Sequence, residues 1–236
     1  MNCERQILKM PLGACPMDEV SLRMKKHAGI DLDNIPAKYG DSVDKARAYM
    51  ADKVNIAAVY QIFRIESIGE DSVTLENGAR FTGAMVPRIC KGAEYLACFV
   101  ATLPAFNDIR DTMGDIMEDY FLDLWGTVYA ECGTAMVEQS LTEQLEASGY
   151  RAASSWNPGQ HRFELCNQRP LFSLLQPEEI GCVLDKHMRM IPFKSTSGII
   201  PILREDIPEK NDLIPCDFCD KKHTCPASRA RKQADK

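Results

Sequence analysis

Three cysteines and a histidine crowd into 216-CDFCDKKHTC-225. Two thiolates two residues apart can reach one metal ion from a tight turn, and Cys225 adds a third ligand from a short loop beyond Cys219. With His223 as the fourth ligand the set is a structural zinc knuckle. With three cysteines and an outside ligand it is an iron–sulfur site. The spacing leaves both open, and such close spacing in a polar segment has no packing explanation. A second stretch, 156-WNPGQHRFELCNQRPLFSLL-175, offers a different chemistry. Pro158 and Gly159 fix a bend that brings bare backbone amides and carbonyls close to whatever lies opposite. That suits a small polar ligand, with Trp156, Gln160, His161 and Phe163 framing a ring or an amino-acid moiety. The plainer alternative is a helix-entry loop with Trp156 and Phe163 as its hydrophobic anchor.

Other groups carry weaker signals. Glu118, Asp119, Asp123 and Glu131 lie on a helical stretch where charges form a solvated face. His27 and His187 are isolated and read as structural. Gly126 to Gly133 lacks the Lys-Ser/Thr ending of a phosphate loop. Cys90, Cys98, Cys132, Cys166 and Cys182 stand singly in or beside apolar stretches, as small buried hydrophobes do.

These groups need a scaffold, and 236 residues at 45% hydrophobic and 26% charged suffice for one main domain with a short appendage. A net charge of −6 and a pI near 5.3 argue against nucleic-acid binding, since no surplus of Lys and Arg is available to displace phosphate counterions. No stretch is long and apolar enough for a membrane span, and the N-terminus lacks the apolar middle of a signal peptide. A cytoplasmic protein with reduced thiols is expected.

The periodicities predict a helix over 17–30, with Asp18 and Glu19 in its first turn and Gly29 as its stop. A helix starting near 42 passes into a strand over 57–68. Asn77-Gly78 between two alternating runs predicts a hairpin over 72–83. The apolar run 94–103 reads as a buried strand, with Val86 to Ile89 just before it. From 107 to 149 apolar residues recur every three or four positions, which predicts one long helix ended by Gly149, with Gly126, Ala130, Gly133 and Ala135 allowing close packing. Leu171, Phe172, Leu174 and Leu175 mark an amphipathic helix, 177–181 a short turn, and 183–191 and 195–203 two strands. Residues 208–215 read as a polar linker before the cysteine cluster and a basic tail. Strands and helices mix without strict alternation, which favours an α+β fold. The expected division is an N-terminal helical extension over 1–40, a main domain over 41–207 and a small metal-binding tail over 208–236.

Taken in order, 99-FVATLPAFNDIRD-111, 133-GTAMVEQ-139, 157-NPGQHRFELCNQRPLFSLL-175 and 188-MRMIPFKSTSGIIPI-202 resemble the activation domain of cobalamin-dependent methionine synthase over roughly residues 50–203. The resemblance rests on a Thr-Leu pair before a long helix, a Pro-Gly loop leading into a Leu/Phe helix, and a Met-x-Pro-x-x-Ser-x-Ser-Gly strand. It implies a twisted antiparallel sheet with packed helices. It also implies a protein that binds S-adenosylmethionine and supports reductive remethylation of a corrinoid whose cobalt has lapsed to Co(II), with an electron donor of flavodoxin or ferredoxin type. Asn157, Pro158 and Gly159 match the family's ligand loop, and Glu131 is a candidate for holding the ligand's ammonium group. Gln160 stands where the family has Tyr, and Ser155 where it commonly has Arg. No corrinoid domain is present, so the resemblance implies a stand-alone activator of a separate corrinoid protein or methyltransferase. Its cysteine cluster, if it holds iron, would supply a low-potential electron. The alternative is a non-catalytic corrinoid-protein chaperone with a structural zinc tail.

Overall fold

The computed structural model of the chain describes residues 2–206 and 213–228. Most of the linker expected at 208–215 and the basic end of the tail lie outside the described residues. Strand β1 (Gln6–Pro11) leads through a 3-10 turn into α1 (Met17–Ala28), which Gly29 closes in the left-handed conformation at φ +67°. Helix α2 (Ala37–Ala51) is followed by the fourteen-residue β2 (Asn55–Ile68), the hairpin β3 (Ser72–Leu75) and β4 (Arg80–Thr82), and the single helical turn α3 (Val86–Ile89). Then come β5 (Ala93–Thr102), α4 (Phe106–Ile109), α5 (Ile116–Leu145) and β6 (Tyr150–Ala152). The chain continues through α6 (Gln168–Leu175), the two-residue strands β7 (Val183–Leu184) and β8 (Met190–Ile191), and β9 (Ser195–Arg204).

One antiparallel sheet runs β4-β3-β2-β5-β9-β6, and β1 shares the outer edge of the long β2 with β3. The fold is α+β, as the mixed periodicities imply. Side chains alternate across the strands, so β2 and β5 feed two cores. Val59, Phe63, Leu96, Cys98 and Val100 face α3, α6 and the segment around Trp156. Ala58, Tyr60, Ile62, Ala97, Phe99 and Ala101 face α5. Helices α1 and α2 pack on the outer side of α5.

Several expectations need correction. The N-terminal segment is not merely a helical extension, because the alternation in QILKMP builds β1 in register with Asn55–Tyr60 of the main sheet. The predicted single helix over 107–149 is two. Asp111 (φ +58°) and Gly114 (φ +78°) are left-handed and break it, and the Asp115 side chain accepts from the Met117 and Glu118 amides to start α5 afresh. That helix ends at Leu145, and Gly149 serves the turn into β6 instead. The predicted strand over 183–191 is a tiny hairpin, since the Asp185 carboxylate accepts from the His187 and Arg189 amides and curls the chain back. Val86 to Ile89, just before the buried strand, form a helical turn. Cys166 is exposed, while Cys90, Cys98, Cys132 and Cys182 are buried as expected.

The small residues of α5 work as their spacing suggests. A Cβ on Gly133 would lie 2.9 Å from the Ala101 side chain, and one on Gly126 would lie 2.5 Å from the Phe106 ring. Only glycine lets the helix lie this close to its neighbours.

A candidate ligand site at the sheet edge

The chain from Tyr150 onward runs antiparallel along β9, whose outer edge it covers. Tyr150 to Ala152 pair with Ile202 to Arg204, the Ala153 amide donates to the Pro201 carbonyl, and Trp156 exchanges both backbone hydrogen bonds with Ile199 at 2.9 and 3.0 Å. At this point the chain turns. The Asn157 amide side chain donates to the Ser197 carbonyl at 2.8 Å, and the Gln160 amide returns to the Asn157 carbonyl. Pro158 is buried beneath the turn, and Gly159 takes φ +88°. His161 and Arg162 follow at φ +49° and +64°, an uncommon pair of left-handed residues outside glycine. The Phe163 amide then closes on Gln160, and the Gly159 amide on Phe163. Beyond the turn, the buried Asn167 exchanges hydrogen bonds with both backbone groups of Thr82 on β4, which pins the entry to α6.

Sequence and structure divide the roles within this stretch. Trp156 and Phe163 are each 1% exposed and belong to the core, so they anchor the turn rather than stack on a ligand. Gly159 and Gln160 are exposed and His161 is half-buried, its ring edge-on to Trp156 with 6.5 Å between centroids. The rim of the turn is therefore the exposed Gly159, Gln160 and Arg162 with the half-buried His161 among them, and Asn157 is the clamp that fastens it to β9.

Glu131 lies elsewhere. Its carboxylate accepts from Lys26 Nζ at 2.6 Å and His27 Nε2 at 3.0 Å, with Arg23 Nε at 3.7 Å, all from α1 on the helical side of the molecule. Burial opposes its ionisation, but the His27 hydrogen bond and the Lys26 charge more than offset this and hold it down at about 2. These donors occupy the carboxylate expected to hold an ammonium group, and His27 is its partner rather than an isolated side chain. A carboxyl lowered from 4.5 to about 2 stabilises the fold above its unfolded value and loses that contribution as pH falls through the folded one. Stability should drop between about pH 4.5 and 2, and Glu131→Gln should cost on the order of 2 kcal/mol at pH 7 and flatten that part of the profile. Urea titrations at several pH values check this; an unchanged acid limb in the variant would show that Glu131 does not shape it.

The other carboxylates of α5 are not simply solvated. Glu118 pairs with Lys45, Asp123 with Lys194, and Asp119 accepts from the Met113 amide. Lys194 also donates to Thr127, and two positions on, the Thr134 and Thr196 hydroxyls meet at 2.9 Å. This row of polar contacts joins α5 to the start of β9, next to Ser197, whose carbonyl carries Asn157. Nothing in the spacing of Thr134 singled it out, because a threonine on a helix has no functional signature of its own.

The cysteine tail is not remote from the turn. Residues 213–228 fold back so that Leu213 and Phe218 pack against the core containing Trp156, and the Phe218 ring meets the Trp156 ring edge-on at 5.9 Å. Arg88 lies over the same Phe218 ring. Cys216, Cys219 and Cys225 are half-exposed and His223 is exposed. Among the described residues no group of three or more His, Cys, Asp or Glu side chains is placed to hold a metal ion. The four donors do not fit a metal or cluster as they are arranged.

One antiparallel sheet carries α5 across one face and α6 across the other, with a Pro-Gly turn fastened to the edge of its last long strand, and it shares its fold with a solved MetH reactivation domain. A solved structure similar to this chain is the MetH reactivation domain bound to AdoHcy, with a TM-score of 0.61 and 13% sequence identity over 98% of this chain and 86% of that one. No protein-family model and no curated protein matches the sequence. Among the described residues no helix is long and apolar enough to cross a membrane.

Proposed function

We propose that this chain binds S-adenosylmethionine at the Asn157–His161 turn and serves as a stand-alone reactivation protein for a corrinoid-dependent methyltransferase. The observation that carries the reading is the turn itself, held on the edge of β9 by Asn157 and presenting Gly159, Gln160 and His161 outward, in a fold shared with a domain that has AdoHcy bound. In this role S-adenosylmethionine supplies the methyl group and a separate corrinoid protein presents the cobalt. A flavodoxin- or ferredoxin-type donor supplies the electron. This chain's residues would bind and orient the sulfonium ligand; Asn157 positions the turn, and Gln160 and His161 contact the ligand. Cys216, Cys219, Cys225 and His223 would hold zinc or an iron–sulfur cluster only by drawing together from the arrangement described above, a reading supported by their sequence spacing alone.

Isothermal calorimetry with S-adenosylmethionine tests the binding. Saturable binding is expected, and Gln160→Tyr should tighten it about tenfold, or about 1.4 kcal/mol, by adding a ring for the ligand to stack on. No heat in either protein would sink the reading. The second reading, a non-catalytic corrinoid-protein chaperone with a zinc tail, draws on Glu131 being committed to α1 and Gln160 replacing an aromatic ring. It predicts a colourless protein that ignores S-adenosylmethionine yet still forms a complex with a corrinoid protein on a sizing column. Metal analysis of anaerobically purified protein separates zinc from iron in either case.

A further inference from the structure

The ligand turn and the cysteine tail are far apart in sequence, yet one ring contact joins them. Trp156 is the residue immediately before the turn, and its backbone is locked to Ile199. Its indole meets His161 on one side and Phe218 on another, with centroids 6.5 and 5.9 Å away. Phe218 stands two residues after Cys216 and one before Cys219, inside the 3-10 turn Pro215–Phe218 that the Cys219 amide caps onto the Cys216 carbonyl. Ile214 at one end of the tail and Ser228 at the other are 7% and 3% exposed, so the segment is seated and not merely laid on the surface. A displacement of Cys216 or Cys219 therefore moves Phe218, and moving Phe218 uncovers Trp156.

We propose that the turn and the tail are one composite site, in which Phe218 is the positioning residue and the state of the tail thiols sets ligand affinity at Asn157–His161. The ligand half of this statement rests on the proposed function; the mechanical half does not. By linkage, a ligand that favours the seated turn equally protects the tail thiols. The tail is then a sensing element for whatever reacts with soft sulfur donors, and it reports directly to the turn.

N-ethylmaleimide is a suitable probe. A cysteine thiolate adds to its alkene carbon, a carbon–sulfur bond forms, and a solvent proton goes to the neighbouring carbon, with no change of oxidation state. The chain has two tryptophans, and Trp125 is buried against α2 in the other core, so a change in emission on tail modification reads Trp156. Modification should shift the emission of the full chain to the red. The triple variant Cys216→Ser, Cys219→Ser, Cys225→Ser should not shift, which discounts the exposed Cys3 and Cys166. Phe218→Ala should begin red-shifted and gain nothing on modification, whereas Phe218→Leu should retain part of the cover. An unshifted Phe218→Ala, or a shift that persists in the triple variant, overturns the coupling. In calorimetry Phe218→Ala should weaken S-adenosylmethionine binding by about fivefold or more. If the parent protein binds no S-adenosylmethionine, the proposed function fails while the emission arm still decides the coupling. If it binds and Phe218→Ala leaves the affinity unchanged, the composite site fails while the proposed function stands.

Discussion

Trp156→Ala should unfold at a markedly lower urea concentration, having lost about 3–5 kcal/mol of stability. The indole is 1% exposed in the core beneath α6, and its removal opens a cavity that Phe163 and Phe218 cannot fill without leaving their own places. The loss should exceed that of any substitution on the exposed rim of the turn, such as Gln160→Ala, because the rim contributes no core contacts. Equilibrium unfolding followed by far-ultraviolet dichroism measures the difference. A loss below about 1 kcal/mol would mean that the site collapses around the missing ring and that Trp156 is not the anchor of the turn.

Gly198→Ala tests the same junction from the other strand. A Cβ there would lie 2.5 Å from the Trp156 carbonyl oxygen and 2.7 Å from the Phe99 ring. The carbonyl belongs to backbone paired with Ile199, so relief requires the turn to move away from β9. The expected cost is about 1–3 kcal/mol, the range for forcing an extra methyl into a packed interior. Weaker ligand binding should accompany it, because Asn157 loses its grip on Ser197. Gly40 is the internal control. It sits in α2, where an added methyl would find no neighbour within 4 Å, and Gly40→Ala should be neutral or stabilising by up to about 1 kcal/mol. If the two variants behaved alike, close approach at Gly198 would not be the reason for its glycine.

The difference between these glycines shows what a sequence can carry. Both are single residues in regular elements, and although Gly198 ends the Met-x-Pro-x-x-Ser-x-Ser-Gly stretch, that stretch does not say what a side chain there would strike. Period and turn chemistry were legible because they are local. The alternation in 94–103 became β5, Asn77-Gly78 became a hairpin, Gly29 became a left-handed stop, and the order of motifs around Asn157-Pro158-Gly159 pointed to the correct fold. Where a local signal competes with another, the stronger one won unseen. The helical period over 107–149 concealed the break at Asp111–Gly114, because Asp115 offered a better helix start than continuation through a glycine.

Partnership across the fold was not legible at all. Glu131 lies on the long helix near the turn in a linear reading, yet a rotation of about 100° per residue aims its carboxylate at Lys26 and His27 of α1. Trp156 has the composition of a ligand-stacking residue and the burial of a core residue, and only the pairing of its backbone with Ile199 decides between the two. Phe218, a single aromatic among cysteines and charges, carried no signal until the tail folded onto Trp156. The sequence by itself determined the longer central elements, the α+β class and the position of the Pro-Gly turn, because these depend on contacts a few residues apart, while β1, β6 and the break before α5 escaped it. Which side chains face a ligand, which are spent on one another, and that the cysteine tail sits beside the turn were decided by tertiary packing, because they depend on the register of strands and the rotation of helices brought together from distant parts of the chain.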